Sequence, residues 1–210
     1  MKTEVIEAGG VAARRRAVDL LRSGGLVALP TDTVYGLAAY PWDDDAVERL
    51  YHVKGRPREL PIPLLLSDAS QLQQVAVLSE RCGALPGRFW PGGLTLVLTK
   101  TASVSATISD RPTVAARVPA LALTRDLIRE AGGVLAVTSA NVSGEPSPVT
   151  ARDVEAQLGG RIPLILDGGP CPVGVASTIV DCSVSPPLLL RRGVIGEADL
   201  RAVIGALRLS

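Results

Sequence analysis

Short apolar runs of strand length alternate with longer amphipathic stretches along most of the chain. The runs are rich in Val, Leu and Ile and end at Gly, Pro or a short polar residue, which is typical of strands. The predicted strands are Leu26–Leu29, Ile62–Leu66, Leu94–Thr99, Thr113–Val118, Val134–Thr138, Leu164–Leu166, Ser177–Cys182 and Leu188–Arg191. The predicted helices are Val11–Arg22, Asp44–Val53, Ala69–Val77, Ser79–Arg88, Leu121–Ala131, Ala151–Leu158 and Ala198–Leu207. This alternation predicts an α/β fold with a mixed parallel and antiparallel sheet flanked by helices.

The pattern also indicates one structural unit. No repeat, low-complexity tract or linker rich in Pro and Gly divides the chain, and 210 residues are enough to bury a substantial core. Thr150 followed three residues later by Asp153 has the spacing of a helix N-cap, which supports a helix beginning at residue 151. We therefore expect a single domain over residues 1–210.

Composition and charge narrow the class of protein. Hydrophobic residues make up 47% and charged residues 20% of the chain, which is typical of a folded, soluble protein. The net charge of +1 lacks the basic excess of a dedicated nucleic-acid binder. The amino-terminal segment has no apolar signal core, and no apolar run reaches membrane-spanning length. We expect a cytoplasmic protein without membrane contact.

Two residue types exclude common kinds of catalytic site. His52 is the only histidine, so Ser-His-Asp or Cys-His catalysis would need that one residue as its base. It lies in a helical segment, where a surface or half-buried structural role is the ordinary interpretation. Cys82, Cys171 and Cys182 are odd in number and have no CxxC spacing, which predicts reduced thiols and no zinc site.

Four polar clusters interrupt the apolar pattern at strand ends, where an open α/β sheet binds its ligands. In PTDTVYG, Thr31, Asp32 and Thr33 lie between apolar neighbours, where each polar group needs a partner. In KGRPRELP, Lys54 and Arg56 flank a glycine on a constrained loop. Two cations so placed suit a polyphosphate or a carboxylate, and a solvated basic loop is the alternative.

The other two clusters lie in the second half of the chain. TSANVSG presents Ser139 and Asn141 after a strand, where the turn can cradle anionic oxygens or satisfy its own backbone. In ASTIVD and LLLRRG, Ser177 opens one strand and Arg191 closes the next. Arg117 in TVAARVP repeats the pattern of an arginine at the end of an apolar strand.

Together these clusters predict a site for a ligand with several negative charges. The cations are Lys54, Arg56, Arg117 and Arg191, and the neutral donors are Thr31, Thr33, Ser139, Asn141 and Ser177. No carboxylate pair, nucleophile elbow or metal cage accompanies them, so the reaction would depend on positioning and charge neutralisation. Nucleotidyl transfer from ATP is such a reaction, although the chain has neither a GxxxxGK[ST] nor a GxGxxG motif.

Seven motifs in this order resemble the YrdC/TsaC family of threonylcarbamoyl-AMP synthases: PTDTVYGLAA, KGRP, FWPGGLTLVL, ARVP, TSANVSG, STIVD and LRRG. The resemblance covers residues from Ala17 to Ile195, which would form the core of the domain. It implies an α/β fold with a twisted sheet around a large, positively charged concave cavity. It also implies that L-threonine, bicarbonate or CO2, and ATP are combined to L-threonylcarbamoyl-AMP with release of pyrophosphate.

The resemblance further implies cofactors and partners. Mg²⁺ would accompany ATP, which is a substrate, and no metal held tightly by protein ligands is expected. The product would feed a separate transferase complex that modifies tRNA, so tRNA would be an indirect partner. Longer Sua5-type members carry an additional C-terminal domain, and a chain ending at Ser210 would have no room for it.

Individual roles follow from the same resemblance. Lys54 and Arg56 would be the catalytic cations. L-threonine would contact Thr33, Arg117, Ser139 and Ser177, and ATP would contact Arg56, Thr113, Asn141, Val149 and Arg191. The chain departs from many members in three places: Leu60 and Leu65 replace Asn and His, Val149 replaces Thr, and FWPGG replaces the commoner WPGP. A nucleotide contact at residue 149 would therefore have to come from the backbone, and we expect altered affinity and not lost activity.

Two alternatives remain open at this stage. One is an RNA-binding or ribosome-maturation module that uses the same concave surface, which the near-zero net charge and the 3% aromatic content disfavour. The other is a relative that forms carbamoyl-AMP from carbamoyl phosphate. Such domains occur within larger enzymes, so a free-standing chain of 210 residues argues against it.

Overall fold

The computed structural model describes residues 2–209, which form twelve strands in one mixed sheet and seven α-helices. The strands are β1 (Glu4–Glu7), β2 (Val27–Leu29), β3 (Gly36–Ala39), β4 (Leu64–Leu66), β5 (Ala76–Val77), β6 (Leu94–Lys100), β7 (Thr113–Arg117), β8 (Val134–Ser139), β9 (Leu164–Asp167), β10 (Thr178–Asp181), β11 (Leu188–Arg191) and β12 (Arg208–Leu209). The helices are α1 (Val11–Arg22), α2 (Asp44–Lys54), α3 (Leu72–Val75), α4 (Ala84–Phe89), α5 (Ala122–Ala131), α6 (Ala151–Leu158) and α7 (Glu197–Ile204).

The sheet confirms the predicted α/β class with mixed strand directions. Its order is β1-β9-β2-β3-β8-β4-β7-β6-β10-β11-β12, with β5 paired to β6 beside this path. Neighbours are parallel in the pairs β1/β9, β9/β2, β4/β7, β6/β10 and β11/β12. The remaining pairs are antiparallel. None of the described helices combines the length and the apolar character that crossing a bilayer requires.

All eight predicted strands are present, and most predicted helices occur at their expected places. The predicted cap of α6 is confirmed: the Thr150 hydroxyl accepts the Asp153 N–H while the Asp153 carboxylate accepts the Thr150 N–H. Helix α2 begins in a similar way, because the Asp43 carboxylate accepts the Ala46 N–H.

Two predicted helices are wrong in type or extent. The stretch predicted as Ala69–Val77 is a 3-10 turn, the single-turn helix α3 and then strand β5, because residues 76–77 pair with residues 99–100 of β6. The stretch predicted as Ser79–Arg88 breaks near Gly83 into a 3-10 turn and the short helix α4. The sequence pattern also missed β1, β3, β5 and β12, which are short and depend on their partners in the sheet.

The two faces of the sheet are covered differently. In β8, Val134 and Ala136 belong to a core cluster that includes residues of α2, α4, α6 and α7. Leu135 and Val137 belong to a second cluster built with α1 and α5. Helices α1 and α5 contact strands β2, β4, β8 and β9, so they cover one half of their face. The other half, over β6, β7 and β10, forms the floor of a cavity.

Candidate active site

A concave cavity of about 490 Å³ lies over this half of the sheet. Its volume is within the range of small-molecule binding sites. The floor consists of alternate residues of β6, β7 and β10, such as Val97, Ala115 and Ile179, whose sequence neighbours point into the core. Loops after β2 and α2 and the ends of β8 and β11 form the walls. Among the described residues, every lining position is in a strand or a loop.

The cavity brings together seven of the ten predicted site residues: Thr33, Arg56, Thr113, Arg117, Ser139, Ser177 and Arg191. They come from chain segments that lie far apart in sequence. This is the convergence that the sequence predicted for its scattered cations and hydroxyl groups.

The other three predicted residues, Lys54, Asn141 and Val149, lie outside the cavity wall, which corrects their expected position. Lys54 is only 1% exposed, and its ammonium donates to the Ser139 and Asn141 carbonyls. The Asn141 side-chain amide donates to the carbonyls of Val142 and Glu145 at 2.8 and 2.7 Å. The backbone N–H of Val149 is 3.2 Å from Asp153 Oδ2, and its carbonyl accepts the Cys171 N–H. Each group meets the hydrogen-bonding needs of nearby backbone.

The PTDT stretch forms a tight polar turn between β2 and β3. The Thr31 hydroxyl donates to the Val34 carbonyl at 2.7 Å and accepts the Thr33 N–H at 3.1 Å. The Asp32 carboxylate accepts the Ala120 N–H at 2.9 Å. Each buried polar group of the stretch therefore has a partner, as its position between apolar neighbours requires.

Arg117 is fixed in the wall by three neighbours. Its Nε donates to the Gly92 carbonyl at 2.8 Å, and its Nη1 donates to Thr33 Oγ1 at 2.7 Å. Its Nη2 lies 2.7 Å from Asp32 Oδ1 in a buried ion pair. Burial lowers the pKa of Arg117, and the Asp32 carboxylate opposes this effect. The two opposite charges of Arg117 and Asp32 balance each other, and the ion pair fixes the position of the guanidinium.

A second group joins β6, β10 and β11. Arg191 donates through Nε to the Ser177 carbonyl at 2.9 Å and through Nη2 to Ser177 Oγ at 3.0 Å. The Ser177 hydroxyl is also 2.8 Å from the buried hydroxyl of Thr95, which lines the cavity. Sequence reasoning missed Thr95, although it is a polar residue within the apolar run LTLVL of β6 and therefore carried a signal.

Two further arginines lie along the wall beside the loop that follows α2. Arg56 donates through Nε to the Leu60 carbonyl and through Nη2 to the Pro61 carbonyl, both at 2.9 Å. Arg111 donates to the Glu59 carbonyl at 2.9 Å. Sequence reasoning also missed Arg111, because it lies in an irregular loop before β7 where no pattern marks it.

These arginines give the cavity an uncompensated positive charge. Within residues 2–209, no carboxylate is within ion-pair distance of Arg56, Arg111 or Arg191. Burial lowers the pKa of Arg56 and of Arg191, and for Arg191 the charge of Arg117 adds to the effect. Asp181 is the acidic residue among the lining positions described. The arrangement favours an anionic ligand with several charged oxygens.

Comparisons with known proteins identify the family of this chain. A family model for Sua5, YciO and YrdC, described as "Telomere recombination", matches residues 19–193. A threonylcarbamoyl-AMP synthase of Bacillus subtilis is 44% identical over 197 residues, which cover 92% of this chain and 57% of that protein. A Mycobacterium tuberculosis relative is 38% identical over 192 residues, covering 90% of this chain and 88% of its own length.

A solved structure from the same family has the same fold. The crystal structure of Pyrococcus abyssi Sua5 complexed with L-threonine superposes with a TM-score of 0.94 at 39% identity, covering 99% of this chain and 63% of that one. The chain thus spans little more than half the length of the first relatives that it matches. The family match covers most of the chain and includes the segments that build the cavity. The chain therefore belongs to the Sua5/YciO/YrdC family.

Proposed function

We propose that this chain is a threonylcarbamoyl-AMP synthase, a nucleotidyltransferase that forms L-threonylcarbamoyl-AMP and pyrophosphate from L-threonine, bicarbonate and ATP. The observation that carries the proposal is the convergence of seven predicted substrate contacts on one cavity with three arginines that lack carboxylate partners. The printed names of the Bacillus subtilis relative and of the threonine complex point the same way.

In this proposal L-threonine binds at the end of the cavity beside Arg117. Thr33, Ser139 and Ser177 line the same cavity and carry hydroxyl groups that suit a small polar amino acid. Asp32 already balances the charge of Arg117 through an ion pair with Nη2. A guanidinium has five N–H donors, and the contacts with Gly92, Thr33 and Asp32 use three of them, so donors remain for the carboxylate of the substrate.

The triphosphate of ATP binds along Arg56 and Arg191. Thr113, at the start of β7, lies on the floor of the cavity. Bicarbonate takes up a proton and loses water to give CO2, and the threonine amine adds to this CO2 and loses a proton, giving an N-carboxylate. One oxygen of that carboxylate attacks the α-phosphorus, and the bond to the bridging oxygen breaks so that pyrophosphate leaves with the electron pair. Fixed guanidinium groups neutralise the charge that accumulates on the phosphate oxygens.

Mg²⁺ accompanies ATP in this proposal. No group of three or more His, Cys, Asp or Glu side chains lies together among residues 2–209, so the phosphates would provide most of its ligands. In this proposal the activated product passes to a separate transferase that acts on tRNA, and we infer that the protein works in the cytoplasm. The proposal also extends to the domain organisation, with residues 1–210 acting as one catalytic unit.

Adjacent arginines provide a matched test. Arg191→Ala removes a cavity cation, whereas Arg192→Ala removes a 72% exposed side chain that pairs with Glu197 outside the cavity. Loss of one charge-assisted contact in the transition state commonly costs about 10²–10³ in rate. We expect pyrophosphate release from L-threonine, bicarbonate and ATP to fall by that factor in Arg191→Ala and to stay near wild type in Arg192→Ala.

The same assay separates the alternatives. Arg56→Ala should behave like Arg191→Ala, with Arg58→Ala as its control because Arg58 packs over Tyr51 and pairs with Glu48. Pyrophosphate release with carbamoyl phosphate in place of threonine and bicarbonate would indicate the carbamoyl-AMP-forming relative. Equal turnover in Arg191→Ala and Arg192→Ala would contradict the proposed triphosphate site.

A further inference from the structure

We infer that Lys54 is a positioning residue, which holds the turn Ser139–Asn141 in place at the cavity wall without touching the substrates. This inference rests on the proposed function for its effect on activity, and on the geometry alone for the location of the lysine. It differs from the expectation that Lys54, like Arg56, grips a phosphate.

The turn at the end of α2 directs the side chains of Lys54 and Arg56 to different places. Gly55 has φ of 60°, in the left-handed region, and an added Cβ would meet nothing within 4 Å, so the glycine serves the backbone conformation and not close packing. Lys54, the last helical residue, turns inward and is 1% exposed. Arg56, two residues later, lines the cavity.

The ammonium group of Lys54 is fully used by the turn. It donates to the backbone carbonyls of Ser139 and Asn141 and lies 3.2 Å from Asn141 Oδ1. An ammonium has three N–H donors, so these three acceptors leave none for a phosphate. The Lys54 carbonyl also accepts the Ser143 N–H at 2.8 Å, which ties the end of α2 to the same turn.

Lys54 affects the cavity indirectly, through its contacts with Ser139 and Asn141. The Ser139 hydroxyl, which lines the cavity, donates to the same Asn141 Oδ1 that Lys54 contacts. Removing the ammonium would leave two buried carbonyls and one amide oxygen without their shared donor. The turn would then shift, and Ser139 would lose the position that its hydrogen bond to Asn141 gives it at the cavity wall.

Lysine acylation tests the location without any assay of activity. The chain has three lysines, Lys2, Lys54 and Lys100. Burial, with a contribution from the charge of Arg56, lowers the pKa of Lys54 to about 7, so at pH 8.5 its amine is mostly neutral and intrinsically reactive. Slow acylation at that pH would therefore report that the amine is buried and held by its acceptors.

We expect sulfosuccinimidyl acetate to acylate Lys54 at least about tenfold more slowly than Lys100, by peptide mass spectrometry, both with and without ATP and L-threonine. Lys100 is the reference because it is half-buried and donates to one carbonyl, that of Ser109. Acylation of Lys54 at the rate of Lys100 in the free protein, or protection that depends on ATP, would overturn the inference. Because no turnover is involved, this result stands whether or not the proposed synthase activity does.

Binding of L-threonine alone gives the second readout. We expect Lys54→Met to weaken threonine binding by at least about fivefold in calorimetry without ATP, because the change acts through Ser139. Lys100→Met is the matched control and should bind threonine as the wild type does. If Lys54→Met weakens ATP binding but leaves threonine binding unchanged, Lys54 contacts phosphate and the inference fails.

Discussion

At the residue scale, the ion pair of Asp32 and Arg117 shows how the site is held in place. The two side chains are 10% and 7% exposed, and they join the turn after β2 to the end of β7. The sequence indicates that the polar residues of PTDT need partners, and the partner of Asp32 is 85 residues away. No local pattern predicts such a pair, because burial and distance decide it.

Loss of the Asp32 charge should destabilise the protein. Asp32→Asn leaves the Arg117 guanidinium buried without a counter-charge, which commonly costs roughly 3–5 kcal/mol. We expect this decrease in the free energy of unfolding in urea. The double variant Asp32→Asn, Arg117→Met removes both charges and should recover part of the loss. A single variant as stable as the wild type would show that the pair contributes little.

Lys54 and Thr95 show the limits of sequence reasoning for single residues. A lysine two positions before an arginine looks like a second ligand cation, and only the left-handed Gly55 reveals that the two point to different places. Thr95 looks like an interruption of an apolar strand until its contact with Ser177 is known. The residue types were informative, but the direction of each side chain depends on backbone turns that the sequence does not specify.

At the scale of elements, strand alternation separates the cavity from the core. Most strands were predicted correctly because their apolar runs are long and bounded by Gly or Pro. Strand β3, with the sequence GLAA, was missed because its residues have little strand preference and it forms by pairing between β2 and β8. The sequence pattern also could not show which half of the sheet lacks helices, because α1 and α5 could cover either half.

Neighbouring alanines of β7 test this alternation. Ala115 faces the cavity and Ala116 is fully buried in the core. We expect Ala115→Leu to weaken ATP or threonine binding by about tenfold or more, while the free energy of unfolding changes by less than about 0.5 kcal/mol. Ala116→Leu overpacks the core and should cost about 1–3 kcal/mol of stability.

Binding is measured by calorimetry and stability by urea unfolding in both variants. Ala115→Leu with normal binding and reduced stability would mean that residue 115 faces the core. The assignment of the cavity floor would then be wrong.

At the scale of the whole molecule, the cavity exists only when distant segments have come together. Its lining includes Thr31 near one end of the chain and Arg191 near the other. The order of the motifs indicated a shared site, but their mutual distances depend on the order of the strands in the sheet. That order includes five parallel pairs with long connections, which hydrophobic periodicity does not specify.

Ligands should therefore stabilise the entire fold. A ligand at about 100 times its Kd adds about 2.7 kcal/mol to the free energy of unfolding of the protein that binds it. We expect the Tm to rise with ATP and with L-threonine, and to rise most with both in the presence of bicarbonate. Arg56→Ala should lose most of the ATP-dependent rise and keep the threonine-dependent rise, because Arg56 holds the carbonyls of Leu60 and Pro61 and none of the proposed threonine contacts.

Thermal unfolding monitored by fluorescence or calorimetry provides the measurement. L-valine, which has a similar shape to threonine but no hydroxyl group, is the control ligand. Equal shifts with threonine and valine would mean that the hydroxyl groups of the wall do not select the substrate.

The edge strand β1 has a consequence for the way the protein is made. Residues 4–7 pair in parallel with residues 164–167 of β9. At translation rates of about 5–20 residues per second, the ribosome needs roughly ten to thirty seconds after making the first strand to deliver its partner. Strand β1 is thus secured long after it is synthesised, and a nascent chain carries it as a free strand throughout that interval.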